Sequence, residues 1–207
     1  MKALSKRYLT NIVQIRKDLR SLLRNKHDFS KPAVLSAVEM SHSKSKAIIP
    51  LSDEKYRLSH ITAANDVRIG RLLEHLDTFA VHISYKHNNA LKDEENNSHP
   101  LGIVTALADE VVIHNQHMTV EDDLLMEGHI AWTGKSSMEV AMKISQNDKP
   151  AMEALFLMVA RCPNSGKAAQ VCPVQPQNVQ ERCMFSFGEQ RKIKRLNSIE
   201  KDLFTTW

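Results

Sequence analysis

Aromatic side chains make up only 5% of the 207 residues, and they are not interleaved with the basic ones. A nucleic-acid groove needs stacking platforms among its cations, so a formal charge of +4 does not by itself support such a partner. Long apolar runs are missing too. No stretch approaches the ~20 residues needed to span a bilayer, so no membrane span is expected. Cysteine is scarce: Cys162, Cys172 and Cys183 form no CxxC pair, and an odd count closes no disulfide framework, which suits a reducing compartment. The ten histidines include no HExxH and no clustered Cys/His spacing, and His114 and His117 flank a turn, so no metal is expected. The six glycines form no GxGxxG, P-loop or GxSxG, which sets aside a dinucleotide fold, a phosphate-cradling loop and a nucleophile elbow.

What is present is a 42% hydrophobic, 25% charged chain, long enough for one buried core with appendages. Three segments are expected: residues 1–46, 47–163 and 164–207. Residues 1 to about 27 alternate Lys and Arg with Leu and Ile against a single acid, Asp18. That composition fits a mitochondrial transit peptide, or a solvated basic helix that packs on the domain or on a partner. From Ser30 to Pro50 the pattern reads as a linker, with the folded unit starting near Ala47.

NDVRIGRLLEHLDTFAVHISY, from Asn65 to Tyr85, has helical period. Ile69, Leu72, Leu73, Leu76, Phe79, Ala80 and Ile83 form one stripe, whereas Arg71, Glu74, His75, Thr78 and His82 fall opposite and are expected at the surface. Asp77 belongs to neither group. It lies at the flank of the stripe among Gly70, Leu73, Ala80 and Ser84, so partial desolvation is expected to make it a basic carboxylate. A rim Asp bonded to a neighbouring backbone or hydroxyl group is the alternative. The polar run KHNNALKDEENNSHP then reads as a surface loop.

Beyond Pro100 the period becomes strand-like. Met138, Val140, Met142 and Ile144 alternate with Glu139, Ala141 and Lys143, as in a strand with one buried face. TGKSS and QNDKP supply hairpin turns, so the last three strands are expected to form an antiparallel meander. One long helix followed by antiparallel strands is α+β, and both bury their apolar faces most economically if the sheet wraps the helix. That arrangement is a single hotdog, here with helical N- and C-terminal extensions.

IIPLSDEKYRLSHITAANDVRIGRLLEHLDTFAVHISYKHN, LGIVTALADEV and GHIAWTGKSSMEVAMKI resemble, in that order, the first half of mitochondrial acyl-CoA thioesterases built from two hotdog repeats. RIGRLLEHLDTFA and WTGKSSMEV carry most of the specificity. The resemblance implies acyl-CoA hydrolysis in the mitochondrial matrix, the cytoplasm being the alternative, without a cofactor, since coenzyme A is part of the substrate. Gly70, Leu72, Leu73 and Asp77 match the family pattern Gly-x-Leu-Leu-x-x-x-Asp, which implies that Asp77 is the general base or nucleophile. Amides around Gly70 and Arg71, at the positive helix end, are then expected to hold the oxyanion. Lys135 and Arg161, and the cluster Arg191, Lys192, Lys194 and Arg195, are candidates for the phosphates of coenzyme A, or are simply solvated. Asn65 is an uncertain counterpart of the Asn or His that many relatives carry before the helix. MFSFGEQRKIKRLNSIEKDLFTTW resembles the connector to the second repeat, so the chain is expected to homo-oligomerise or pair with another hotdog. A non-catalytic hotdog that binds acyl-CoA or pairs with a full-length thioesterase is the other expectation.

Overall fold

The computed structural model describes residues 10–24, 35–88, 101–114 and 118–204. The first and last parts of the basic N-terminal segment, the turn-rich loop after the helix, and His117 lie outside the described residues. In chain order the elements are β1 (Thr10–Asn11), α1 (Ile12–Arg24), β2 (Val38–Glu39), α2 (Met40–Ser43), β3 (Ser45–Ile49), α3 (Glu54–Arg57) and α4 (Ile69–His87). There follow β4 (Gly102–Ile113), β5 (Leu124–Thr133), β6 (Ser137–Gln146), β7 (Lys149–Arg161), β8 (Val174–Gln175) and α5 (Val179–Phe204).

The two predicted hairpins link β5 to β6 to β7 as an antiparallel meander, with Met126 opposite Ile144 and Met138 opposite Met158. Asn147 and Asp148 both adopt positive φ, 51° and 63°, which is what a two-residue hairpin turn requires of its centre. β3 pairs antiparallel with β5, and β4 returns along the outer side of β7, giving the order β1-β3-β5-β6-β7-β4. β4 is therefore an edge strand. Two register shifts, between Thr105 and Leu107 and between Ala108 and Glu110, break its alternation and explain why its sequence does not read cleanly with period two.

The sheet wraps α4. Leu72, Leu76, Phe79, Ala80 and Ile83 are buried on the concave face against Met126, Ile130, Val140, Met142, Phe156 and Met158. Gly128 permits this close approach: a Cβ there would come within 2.8 Å of both Ile83 Cδ1 and Met142 Cγ. The fold is the expected α+β hotdog.

The expected limits of 47–163 are too narrow. β1 adds to the sheet in parallel beside β3, and α1 lies across α4 with Ile12, Ile15 and Leu19 buried in the same core. Residues 10–24 are thus an integral layer of the domain. At the other end Val171 and Val174 join the core, and α5 packs on the convex face over β5.

α5 docks through ion pairs beside the apolar packing of Met184 and Phe185. Glu139, on the convex side of β6, is fully buried and takes Arg191 Nη2 at 2.6 Å and Arg195 Nη2 at 2.7 Å, while Arg195 Nη1 also reaches Asp109 at 2.7 Å. Trp132 donates its indole N–H to Glu189, 2.7 Å away. Gly188 lies flat on that indole, where any Cβ would overlap Trp132 Cβ and Cγ.

Candidate active site

α4 begins with little local support. Its N-cap residue, Arg68, supplies no side-chain acceptor, and the first turn holds no acid. A cation at the positive end of the helix dipole is unfavourable, and Gly70 in the first turn lowers helix propensity further. Space over Gly70 is open, since a Cβ placed there would meet nothing within 4 Å. The two residues expected to share the oxyanion role differ: the Arg71 amide already donates to Arg68 C=O at 2.9 Å, and its guanidinium pairs with Glu74 at 2.6 Å. Gly70 is thus the better placed of the two amides.

Asp77 lies two turns further along the same face and is exposed in the single chain, so the expected desolvation is not present there. Its neighbours Ala80 and Ser84 are buried, but its own side chain is exposed. One oxygen accepts a hydrogen bond from Thr105 Oγ1 of β4 at 2.5 Å. Thr105, which also lies 3.5 Å from Met158 Sδ, is the site residue that sequence reasoning missed. The signal available was faint: one hydroxyl on a strand whose alternation is broken by bulges.

His75 and His82 are not the surface residues expected from α4 alone. His75 is 1% exposed and His82 half-buried, because α1 covers that side of α4. Burial pushes the His75 imidazole down to about 3, with the nearby Arg16 charge acting in the same direction, and burial likewise takes His82 down to about 4. His75 joins a stack with Tyr56 and His60 that does not touch Asp77. Asn65 adopts φ 63° at the exposed tip of the loop closed by the bridge between Ile61 and Val67.

Lys135 and Arg161 are both exposed, and they come together at one end of the sheet, where Ala160 N–H bonds to Ser136 C=O at 2.8 Å. Arg161 pairs with Gly102, three residues along β4 from Thr105. Arg191 and Arg195 are occupied by Glu139 and Asp109, which removes them as free phosphate ligands. A cavity of about 630 Å³ lies on the convex face beside α5, lined by Ala131, Ala141, Leu155 and Phe187. It lies across the sheet from α4, and Asp77 does not line it.

No family model matches the chain. Among curated proteins it is 37% identical over 169 residues to acyl-coenzyme A thioesterase 9, mitochondrial, of Mus musculus, a match covering 79% of this chain and 38% of that protein. With the protein of that name from Homo sapiens the identity is 37% over 186 residues, covering 87% of this chain and 40% of the relative. The chain is a relative of the acyl-coenzyme A thioesterases. It spans about two fifths of the length of these curated thioesterases. A solved apo-hexameric acyl-CoA thioesterase superimposes with a TM-score of 0.63 at 23% identity, covering 80% of this chain and 98% of that one, a likeness of fold. Asp77, Gly70 and Thr105 therefore sit on the helix and edge strand of a fold that thioesterases use.

Proposed function

We propose that the chain hydrolyses acyl-CoA thioesters to a free acid and coenzyme A, with Asp77 as the base. The observation that supports this most is the carboxylate of Asp77, oriented by Thr105 and set on the same helix face as the open Gly70 amide.

Seven residues separate Gly70 from Asp77, about 10 Å along the helix axis. That gap rules out direct attack by the carboxylate on a carbonyl held at the Gly70 amide, and leaves Asp77 the role of general base towards an attacking water. Asp77 takes a proton from that water as the oxygen adds to the carbonyl carbon. The oxyanion is held by the Gly70 N–H and the positive helix end. Collapse breaks the C–S bond, and the leaving thiolate recovers the proton from Asp77. Carboxylate and amide suffice for these steps, so the reading calls for no metal or redox cofactor.

A second hotdog completes the site. β4 is the open edge of the sheet and exposes Val104, Leu107, Val111, Val112 and Ile113, an apolar strand of the kind that pairs with another edge. Docking there would cover Asp77 and supply the desolvation that the single chain lacks. Lys135 and Arg161 would then receive the phosphates of coenzyme A at the sheet end. We place the protein in the mitochondrial matrix, on the mitochondrial names of its relatives. Because α1 is part of the core, a cleaved leader would have to end before Thr10.

The test is release of free thiol from acyl-CoA substrates of increasing chain length by the purified chain. Hydrolysis above the buffer rate supports the reading. The exposure of Asp77 favours one alternative, a binding module that is silent until paired with another hotdog. Coenzyme A binding without thiol release would select that alternative, and neither binding nor release would defeat both.

A further inference from the structure

The weak start of α4 is held by something other than a cap. His60 C=O accepts the Arg68 N–H at 2.8 Å, fixing the residue that leads into Ile69 and Gly70. The ring of His60 is in turn gripped from α4 itself: His60 Nε2 lies 2.7 Å from His75 Nε2, with the two rings stacked at 5.0 Å and 11°. Tyr56 closes the stack on the other side, its ring 4.2 Å from that of His60 and its hydroxyl 3.0 Å from His75 Nε2.

The protons in this cluster follow from its partners. His60 Nδ1 faces the Tyr56 carbonyl at 2.8 Å; a carbonyl only accepts, so Nδ1 carries the hydrogen. The neutral ring then presents a lone pair at Nε2, and His75 Nε2–H donates to it. His75 Nδ1 is left as a buried lone pair without a partner. A bare acceptor there is the cheaper orphan, since the alternative tautomer would bury an unpaired N–H. Arg16 and Arg71 flank the cluster and disfavour a further proton, while Glu74 opposes them only weakly.

We propose that Tyr56, His60 and His75 are positioning residues for the reaction: a neutral stack through which the second turn of α4 holds its own first turn, keeping the Gly70 amide aimed at the substrate carbonyl. This rests on the thioesterase reading for its catalytic meaning. The arrangement makes sense of a helix start that lacks a cap, an acid and a side chain at Gly70. A conventional cap would occupy the positive end, whereas a clamp from behind leaves it free.

His82 provides the control, since it too lies under α1 with an unpartnered Nδ1, but sits 13 residues, more than three turns, beyond the helix start. Two readouts of His75→Leu and His82→Leu separate positioning from general stability. Amide hydrogen exchange of the full chain, read on peptides covering residues 60–72 without substrate, should accelerate at least tenfold in His75→Leu and stay within twofold in His82→Leu. With acyl-CoA, kcat should fall about tenfold in His75→Leu with KM changed less than threefold, whereas Tyr56→Phe, which keeps the ring in place, should lose less than threefold. Equal exchange and equal kinetics in the two leucine variants would overturn the proposal. Exchange is read without turnover, so an inactive wild type would count against the thioesterase reading alone, and the clamp would still stand or fall on exchange.

Discussion

At the scale of single residues, charge and burial oppose each other most sharply at the histidines. His75 and His82 are neutral when folded, held down to about 3 and about 4 by burial, while the unfolded chain takes up protons at the ordinary value near 6.5. Burial lowers His60, His87 and His129 as well. The unfolded state therefore binds more protons than the folded one below pH 6.5, and stability is lost as pH falls from there towards 4. Each fully mismatched histidine contributes a slope of about 1.4 kcal/mol per pH unit. Urea unfolding at pH 7.5, 6.0 and 5.0 should show this decline, and His82→Leu should make it shallower by up to one proton. An unchanged slope in that variant would remove His82 from the account. At Thr105 the expectation is kinetic. Thr105→Ala frees one Asp77 oxygen to rotate and should lower kcat about tenfold with the fold intact, as read by steady-state hydrolysis beside circular dichroism.

At the scale of elements, α5 is held by buried ion pairs as well as by apolar packing. Glu139 is fully buried and shared by two arginines, so removing one leaves a poorly compensated buried charge. Arg191→Ala should cost about 3 kcal/mol, and Glu139→Gln should relieve part of that cost when combined with it. Thermal unfolding of the single and double variants measures this, and strict additivity would contradict the coupling. The elements also show what could be read from sequence. α4, the β5-β6-β7 meander and both hairpins were legible, because each has a local period or turn chemistry. The role of α1 was not: a basic, acid-poor segment has the same composition whether it leads a protein into an organelle or lies across a central helix. Once α1 is misplaced, His75 and His82 fall wrongly on a solvent face. Likewise Arg191 and Arg195 look like free cations until the fold places Glu139 beneath them. The place of Asp77 on the Gly70 face of α4 was legible, but its contact with Thr105 was not, since no local pattern links a hydroxyl on a bulged strand to a helix 28 residues earlier.

At the scale of the whole molecule, β1 ends one side of the sheet, and the other, β4, is apolar and unpaired on its outer side among the described residues. An assembly built through β4 should be broken by a charge on that strand. Leu107→Lys should shift the sedimentation of the chain towards monomer without loss of helix and strand signal, and should lower hydrolysis with it. A variant that stays associated would place the interface elsewhere. On the proposed pairing the same edge bears on the exposure of Asp77: a partner hotdog docked along β4 would cover its carboxylate. In the proposed reaction this carboxylate activates water. The most direct measurement compares kcat for acyl-CoA hydrolysis by the wild type and Asp77→Asn at matched affinity for coenzyme A. A fall of about 10²–10⁴-fold with coenzyme A binding within threefold is expected; equal rates in the two proteins would rule out Asp77 as the base.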